Sequence, residues 1–231
     1  MAAPVPTLLL PGLDGTGILF ARFAAALGEG LMPQAIGYPP DTPLGYHELM
    51  PLVERARPRG LKFVLVGESF SGPLALKLAA KRPPGLLAVV LVGSFARSPV
   101  SPLLAPLVGA RLMKMASSEF LIRRYLTGND GPPELVEDVQ RCLRTVGTDV
   151  LARRVKDVLS VDAREEVRTC PVPILYLQGA HDKLVPRTVA DELRALNPAL
   201  KAESLDAPHL MLQRAPDAAA AALRRFLEPL H

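Results

Sequence analysis

The sequence predicts an α/β fold: a mostly parallel sheet of about six strands, helices on both faces, and an all-helical insertion. Three observations carry that prediction. Short apolar runs alternate with helical patterns over most of the 231 residues, the signature of parallel strands joined by crossover helices. One run, Phe63-Val64-Leu65-Val66, passes through small residues at Gly67, Ser69, Ser71 and Gly72 straight into a helical pattern. From Phe95 to about Thr169 the strand-like runs stop and helical patterns follow one another.

Taken in order, Pro6 to Leu10 is an apolar strand, and Pro11 to Gly17 (PGLDGTG) is a glycine-rich turn. A helix over Ile18–Leu27 places Phe20, Phe23, Ala24 and Leu27 on one face at i, i+3, i+4, i+7 spacing. Gln34 to Tyr38 reads as a short strand stopped by Pro39-Pro40, and Gly45 to Ala56 as a helix with Leu49, Leu52 and Val53 inward. The run at Lys62 to Gly72 (KFVLVGESFSG) then makes a buried strand and a very tight turn, with Pro73 suited to the first turn of the next helix. Leu86 to Val92 is a continuous apolar run of the kind buried on both faces. Helical patterns follow at about Pro102–Met113, Ser117–Leu126, Pro132–Val146 and Asp149–Leu159, and Asp162 with Glu165 resembles a capping box. Strands return at Val172–Gln178 and Lys201–Leu205, and a helix over Ala215–Leu227 closes the chain. The expected organisation is a core of residues 1–96 and 170–231 with a helical lid, 97–169, inserted on top.

Composition narrows the function. Hydrophobic residues make up 49% and charged residues 22% of the chain, which suits a folded globule. A formal charge of +4, scattered evenly and without tryptophan, does not suggest a nucleic-acid partner. Cys142 and Cys170 lack C-x-x-C spacing and read as free thiols of a reducing compartment. The start, MAAPVPTLLLPG, has no basic leader region, and no apolar stretch approaches the roughly 20 residues that span a bilayer. A cytoplasmic protein without stable membrane insertion is expected. The histidines are too few and wrongly spaced for zinc, and no metal or organic cofactor is implied.

The chemistry gathers at strand ends. Ser69 follows the third strand, Asp182 follows the strand at 172–178, and His209 follows the strand at 201–205. Open parallel sheets bind ligands outside the carboxyl ends of their strands, so these three side chains should meet at one edge. A serine hydroxyl is a weak nucleophile until an imidazole takes its proton, and a carboxylate behind the imidazole fixes its tautomer. The oxyanion would need backbone donors, for which Phe70 N–H, at the helix start, and Leu13 N–H, in the first loop, are the candidates. Rival roles exist for several residues. Ser69 could be a helix cap, Asp182 a cap for the helix after Val185-Pro186, and Ser71 a small residue shaping the turn. Asp206 and Asp162 are alternative acids; His47, His181 and His231 are alternative histidines. Asp14 could line the pocket mouth or stabilise its own turn.

These residues carry a resemblance. LLLPGLDGTG, VLVGESFSG, LVGS, PILYLQGAHDKLVP and APHLMLQRAPD together resemble landmarks of the α/β-hydrolase superfamily. The likeness is to small serine carboxylesterases and to the lidded group that includes the pimeloyl-ester hydrolase of biotin synthesis. The elbow and the segment Gly179-x-x-Asp182-x-x-Val185-Pro186 are its most specific parts. The chain departs from the pattern at Ser71, where the elbow usually has glycine, at Pro11-Gly12 in place of His-Gly, and at Pro208 before the histidine. The superfamily's N-terminal antiparallel hairpin is not expected here, and a sheet of about six strands is.

The resemblance implies a serine hydrolase cleaving a small acyl ester through an acyl-enzyme on Ser69, with His209 as general base and Asp182 orienting it. The lid would supply the acyl pocket. Leu107, Met113 and Phe120 are pocket candidates with Asp14; Leu103, Leu104, Met115 and Leu121 share their apolar character, which packing within the lid would equally require. The same triad could serve a thioesterase, an acyltransferase or a carbon–carbon bond hydrolase, and a non-catalytic binding protein of this fold is a further alternative. The oligomeric state is open.

Overall fold

The computed structural model describes residues 3–99 and 117–230. The helix read at Pro102–Met113, the pocket candidates Leu103, Leu104, Leu107, Met113 and Met115, and His231 lie outside the described residues.

Six strands form one sheet: β1 (Val5–Leu10), β2 (Leu31–Ala35), β3 (Phe63–Glu68), β4 (Leu86–Val92), β5 (Ile174–Gly179) and β6 (Lys201–Leu205). Their order is β2-β1-β3-β4-β5-β6 and every pairing is parallel. The connecting helices are α1 (Ala21–Ala26), α2 (Tyr46–Ala56), α3 (Gly72–Ala80), α8 (Thr188–Leu196) and the closing α9 (Met211–Arg214) and α10 (Pro216–Leu227). Between β4 and β5 the described residues carry only helices: α4 (Glu119–Ile122), a π-helical turn over Arg123–Thr127, α5 (Pro133–Thr145), α6 (Thr148–Ser160) and α7 (Arg164–Arg168). The two ends of this insertion meet at a neck, where Arg97 bridges Asp162 and Ala163 N–H donates to the Ala96 carbonyl at 2.7 Å.

Strand alternation splits the core into two layers, as a sheet covered on both faces requires. Leu8, Leu10, Leu65, Val89, Leu91 and Tyr176 point to one side, with Leu49, Val53, Leu74 and Leu193 packed on them. Leu9, Val64, Val66, Val90, Val92 and Leu177 point to the other, against Phe20, Phe23, Leu223 and Phe226. The strand after the first helix sits three residues earlier than the pattern indicates, over Leu31–Ala35 rather than Gln34–Tyr38. It carries Pro33, and it tolerates a missing N–H because it is the sheet edge, paired only with β1. The expected capping box at Asp162 is not formed. Ala163 is the cap, and the Asp162 carboxylate accepts from Arg164, both its backbone N–H and its guanidinium.

The order of strands also says where a ligand belongs. The chain runs outward from β1 to β2, then returns to lay β3 on the opposite side of β1. That reversal opens a crevice beyond the carboxyl ends of β1 and β3, the switch point of a doubly wound sheet. The loops leaving those two strands are the glycine-rich turn and the Ser69 elbow.

Candidate active site

The elbow is strained. Ser69 sits at φ 48°, one of two non-glycine residues with positive φ among the described residues. Such a conformation costs about 1–3 kcal/mol and persists only where its surroundings over-determine it. The surroundings do so here. The Ser69 carbonyl accepts from Ser94 Oγ at 2.7 Å. Gly72 lets that hydroxyl approach, since a Cβ on it would lie 1.8 Å from Ser94 Oγ. The serine that stands for the usual elbow glycine does more than stay small: Ser71 Oγ donates to the Pro11 carbonyl and is bonded to Tyr38 Oη at 2.8 Å. It ties the elbow to the first loop, a link invisible in the sequence because Tyr38 and Pro11 are brought there by β1 and the segment after β2.

Ser69, Asp182 and His209 converge. His209 Nε2 lies 2.9 Å from Ser69 Oγ, and His209 Nδ1 lies 2.8 Å from Asp182 Oδ2. The other carboxylate oxygen, Oδ1, accepts from Leu184 N–H at 2.8 Å and Val185 N–H at 3.0 Å. Asp182 therefore both closes its own turn and holds the histidine; it does not cap the helix after Val185-Pro186, whose N-cap is Arg187 with no side-chain cap bond. An acceptor at Nδ1 leaves the Nδ1–H tautomer, whose free Nε2 lone pair faces the serine hydroxyl. The alternative acids are occupied elsewhere: Asp206 pairs with exposed His181 at 2.8 Å, and Asp162 pairs with Arg164. His47 is exposed on α2.

A cavity of about 390 Å³ opens over Ser69 and His209. Leu13 and Phe70 both line it beside Ser69, and its walls include Leu19, Leu121, Leu126, Leu143 and Leu210. Asp14 lines it too, and its Oδ2 accepts from Thr16 N–H at 2.8 Å and Thr16 Oγ1 at 2.5 Å, so it lines the pocket and also stabilises its own turn. Phe120 does not line the cavity; the residue is 73% exposed. On a helix, neighbouring residues project about 100° apart, and it is Leu121, one position later, that faces the cavity. The π-helical turn contributes Tyr125 and Leu126, and the Leu126 carbonyl accepts from Leu210 N–H at 3.0 Å, tying the insertion to the residue after His209. Cys142 is buried and Cys170 half-buried, both as free thiols.

A titratable residue beside Ser69 escaped the sequence reading. Glu68, directly before Ser69, is buried and lines the cavity, with Oε1 accepting from Gln213 Nε2 at 3.0 Å. Burial pushes its carboxyl up to about 7, helped by the nearby Asp14 charge and opposed by the Gln213 bond. A charged residue ending an otherwise apolar buried strand was the available signal. The consequence is measurable. The native protein keeps a proton that the unfolded chain releases near pH 4.5, so this group's effect is to lower stability as pH rises from about 4.5 through 7. The full loss is about 3 kcal/mol. Glu68→Gln keeps an acceptor for Gln213 and cannot ionise; urea unfolding at pH 5 and pH 8 should show its stability falling by about 3 kcal/mol less than wild type. Parallel curves would mean that Glu68 is ionised in both states.

Comparison with known proteins gives the family and the fold. A curated relative, phytyl ester synthase 1, chloroplastic, from Arabidopsis thaliana, is 38% identical over 109 residues, a match spanning 43% of this chain and 16% of that protein. Among solved structures, the enol-lactonase from Burkholderia xenovorans LB400 superposes with a TM-score of 0.82 at 20% identity, covering 98% of this chain and 92% of that one. A thermophilic esterase from Thermogutta terrifontis superposes at 0.78 with 19% identity, covering 100% and 92%. At such identities these two likenesses establish the fold. Among the described residues no helix is long and apolar enough to cross a membrane. The alpha/beta hydrolase family model matches residues 7–222, nearly the whole chain, and the protein belongs to that family.

Proposed function

We propose that this hydrolase cleaves carboxylic esters with an apolar acyl chain, through a covalent acyl-enzyme on Ser69. The observation that carries the reading is the unbroken chain Ser69 Oγ, His209, Asp182, with links of 2.9 and 2.8 Å, at the floor of an apolar cavity. His209 Nε2 takes the hydroxyl proton as Oγ attacks the carbonyl carbon, and the imidazolium returns it to the departing alcohol. Asp182 stabilises the imidazolium and does not itself take the proton. Leu13 and Phe70 N–H receive the oxyanion. Water, deprotonated by His209, then attacks the acyl carbon, and Ser69 leaves with the proton. Residues 97–169 act as a lid that encloses the acyl chain, with Leu121, Leu126 and Leu143 supplying part of its wall.

The test is a fluorophosphonate probe and a series of p-nitrophenyl esters. The probe should modify the peptide containing Ser69. Each added methylene that the cavity buries is worth about 0.8 kcal/mol, roughly a fourfold gain in kcat/KM, until the cavity is full. A protein that neither reacts with the probe nor turns over any ester is a binding protein on this fold, and the proposal fails.

A second reading has one specific observation behind it, the segment similar to an ester synthase. An alcohol in place of water, giving its proton to His209 as its oxygen attacks the acyl carbon, would release a new ester from the same acyl-enzyme. Adding a long-chain alcohol to the assay separates the two: transfer yields ester in place of free acid.

A further inference from the structure

Arg154 is the least expected side chain in the molecule. It lies on α6 of the helical insertion and is 0% exposed. Among the described residues no carboxylate forms an ion pair with it. Its guanidinium is held instead by backbone carbonyls: Nη1 donates to Leu13 O and to Asp14 O, each at 2.9 Å, and Nη2 donates to Pro39 O at 3.1 Å. It also lies over the Tyr38 ring, 5.6 Å from the centroid. Burying a guanidinium is costly, and an apolar residue of the same volume generally packs as well or better. Two carbonyl bonds to one short loop, and a third that ties the loop's holder to the segment after β2, are a reason to carry that cost.

The loop they hold is the one that offers Leu13 N–H. The peptide joining Asp14 to Gly15 is gripped at both ends: its carbonyl by Arg154, while its N–H donates to the Gly12 carbonyl at 3.1 Å. The Gly12 carbonyl and the Leu13 N–H belong to one trans peptide, so fixing the first aims the second in the opposite direction. Gly15 is adapted to this contact twice. Its φ is +70°, and a Cβ there would lie 2.4 Å from Arg154 Nη1. The far end of the loop is held from the elbow side. Ser71 Oγ spends its only proton on the Pro11 carbonyl, so Tyr38 Oη must be the donor in its bond to Ser71, and that tyrosine is the ring under Arg154.

We infer that Arg154 is a positioning residue for the oxyanion hole: the helical insertion sets the aim of Leu13 N–H through the guanidinium. This rests on the ester-hydrolase reading proposed above and adds a role for the insertion beyond walling the acyl chain. Arg154→Met preserves volume and removes the donors. It should lower kcat by about 10²- to 10³-fold, the usual cost of one oxyanion donor. KM should stay within about threefold, because the ground-state carbonyl uses that donor little. The rate of fluorophosphonate labelling should fall in parallel, while the midpoint of the acid limb of kcat/KM stays put, since Ser69, His209 and Asp182 are untouched. Arg154→Ala should recover kcat on addition of millimolar guanidinium chloride and not of urea at the same concentration.

The outcomes separate. Wild-type turnover with Arg154→Met within twofold of it overturns the inference and leaves the hydrolase reading standing. So does a loss of kcat that only tracks a loss of folded protein, measured by thermal unfolding and by probe stoichiometry. Wild-type protein without turnover or labelling overturns the hydrolase reading and this inference with it. If Arg154→Met does not fold, Arg154→Lys decides: a flexible ammonium cannot span three carbonyls, so kcat should fall at least about tenfold, and an unchanged kcat refutes the role.

Discussion

Replacing Ser69 by alanine is expected to lower turnover of p-nitrophenyl butyrate by about 10⁴- to 10⁶-fold, and His209→Ala should do nearly the same. The double variant should be little worse than either. The reason is that Ser69 Oγ and His209 Nε2, 2.9 Å apart, act as one unit: a hydroxyl without a base stays protonated, and a base without a hydroxyl has nothing to activate. Additive losses would mean that the two side chains serve separate steps. Residual activity should remain above the uncatalysed rate, because Leu13, Phe70 and the cavity are still in place. Assays of variant protein treated beforehand with the probe, which silences any wild-type contaminant, make losses of this size readable. Either variant keeping more than a tenth of wild-type kcat would refute the nucleophile–base assignment. Folding should survive in Ser69→Ala, since alanine at 69 occupies the same φ 48° backbone that Ser94 and Gly72 already hold.

Asp182→Asn should cost about 10⁴-fold in kcat with little loss of fold. The argument comes from which oxygen does what. Oδ1 accepts from Leu184 N–H and Val185 N–H, while Oδ2 accepts from His209 Nδ1. An asparagine must keep its oxygen on the two backbone donors, so its NH₂ is forced toward the imidazole. Nδ1 then becomes the acceptor and the ring proton moves to Nε2, where it faces Ser69 and cannot accept the hydroxyl proton. Steady-state kinetics beside a nitrogen-15 NMR reading of the His209 tautomer would check both halves. A variant with wild-type tautomer and wild-type kcat would sink the orienting role. Asp206 and Asp162 should not compensate, being paired with His181 and Arg164.

The parts of this protein that were legible in its sequence are those governed by local pattern. The run Leu86–Val92 is a strand with those bounds, and Lys201–Leu205 likewise, because an apolar run bounded by turn residues has few other stable options. Ser69, Asp182 and His209 could be named because each follows a strand, and parallel topology gathers strand ends. The edge strand at Leu31–Ala35 was misplaced because an edge needs only one bonded neighbour and carries a weak pattern. Phe120 was misassigned because apolar character does not say which way a short helix faces. Glu68, Ser71 and Arg154 were read past altogether or given lesser roles. Each is a polar side chain whose meaning depends on partners more than thirty residues away in the chain.

By itself, then, the order of residues determined the sheet, its parallel sense, the elbow and the three side chains that meet at its edge, since all of these follow from periodicity and from turn chemistry within a few residues. Only the tertiary structure decided that the elbow's Ser71 is tethered to the first loop, that a glutamic acid is buried beside Ser69, and that an arginine from the insertion grips Leu13 and Asp14. Those are bonds between polar groups removed from water. Their strength depends on burial and on distances of about 3 Å, and neither exists until the chain has closed on itself.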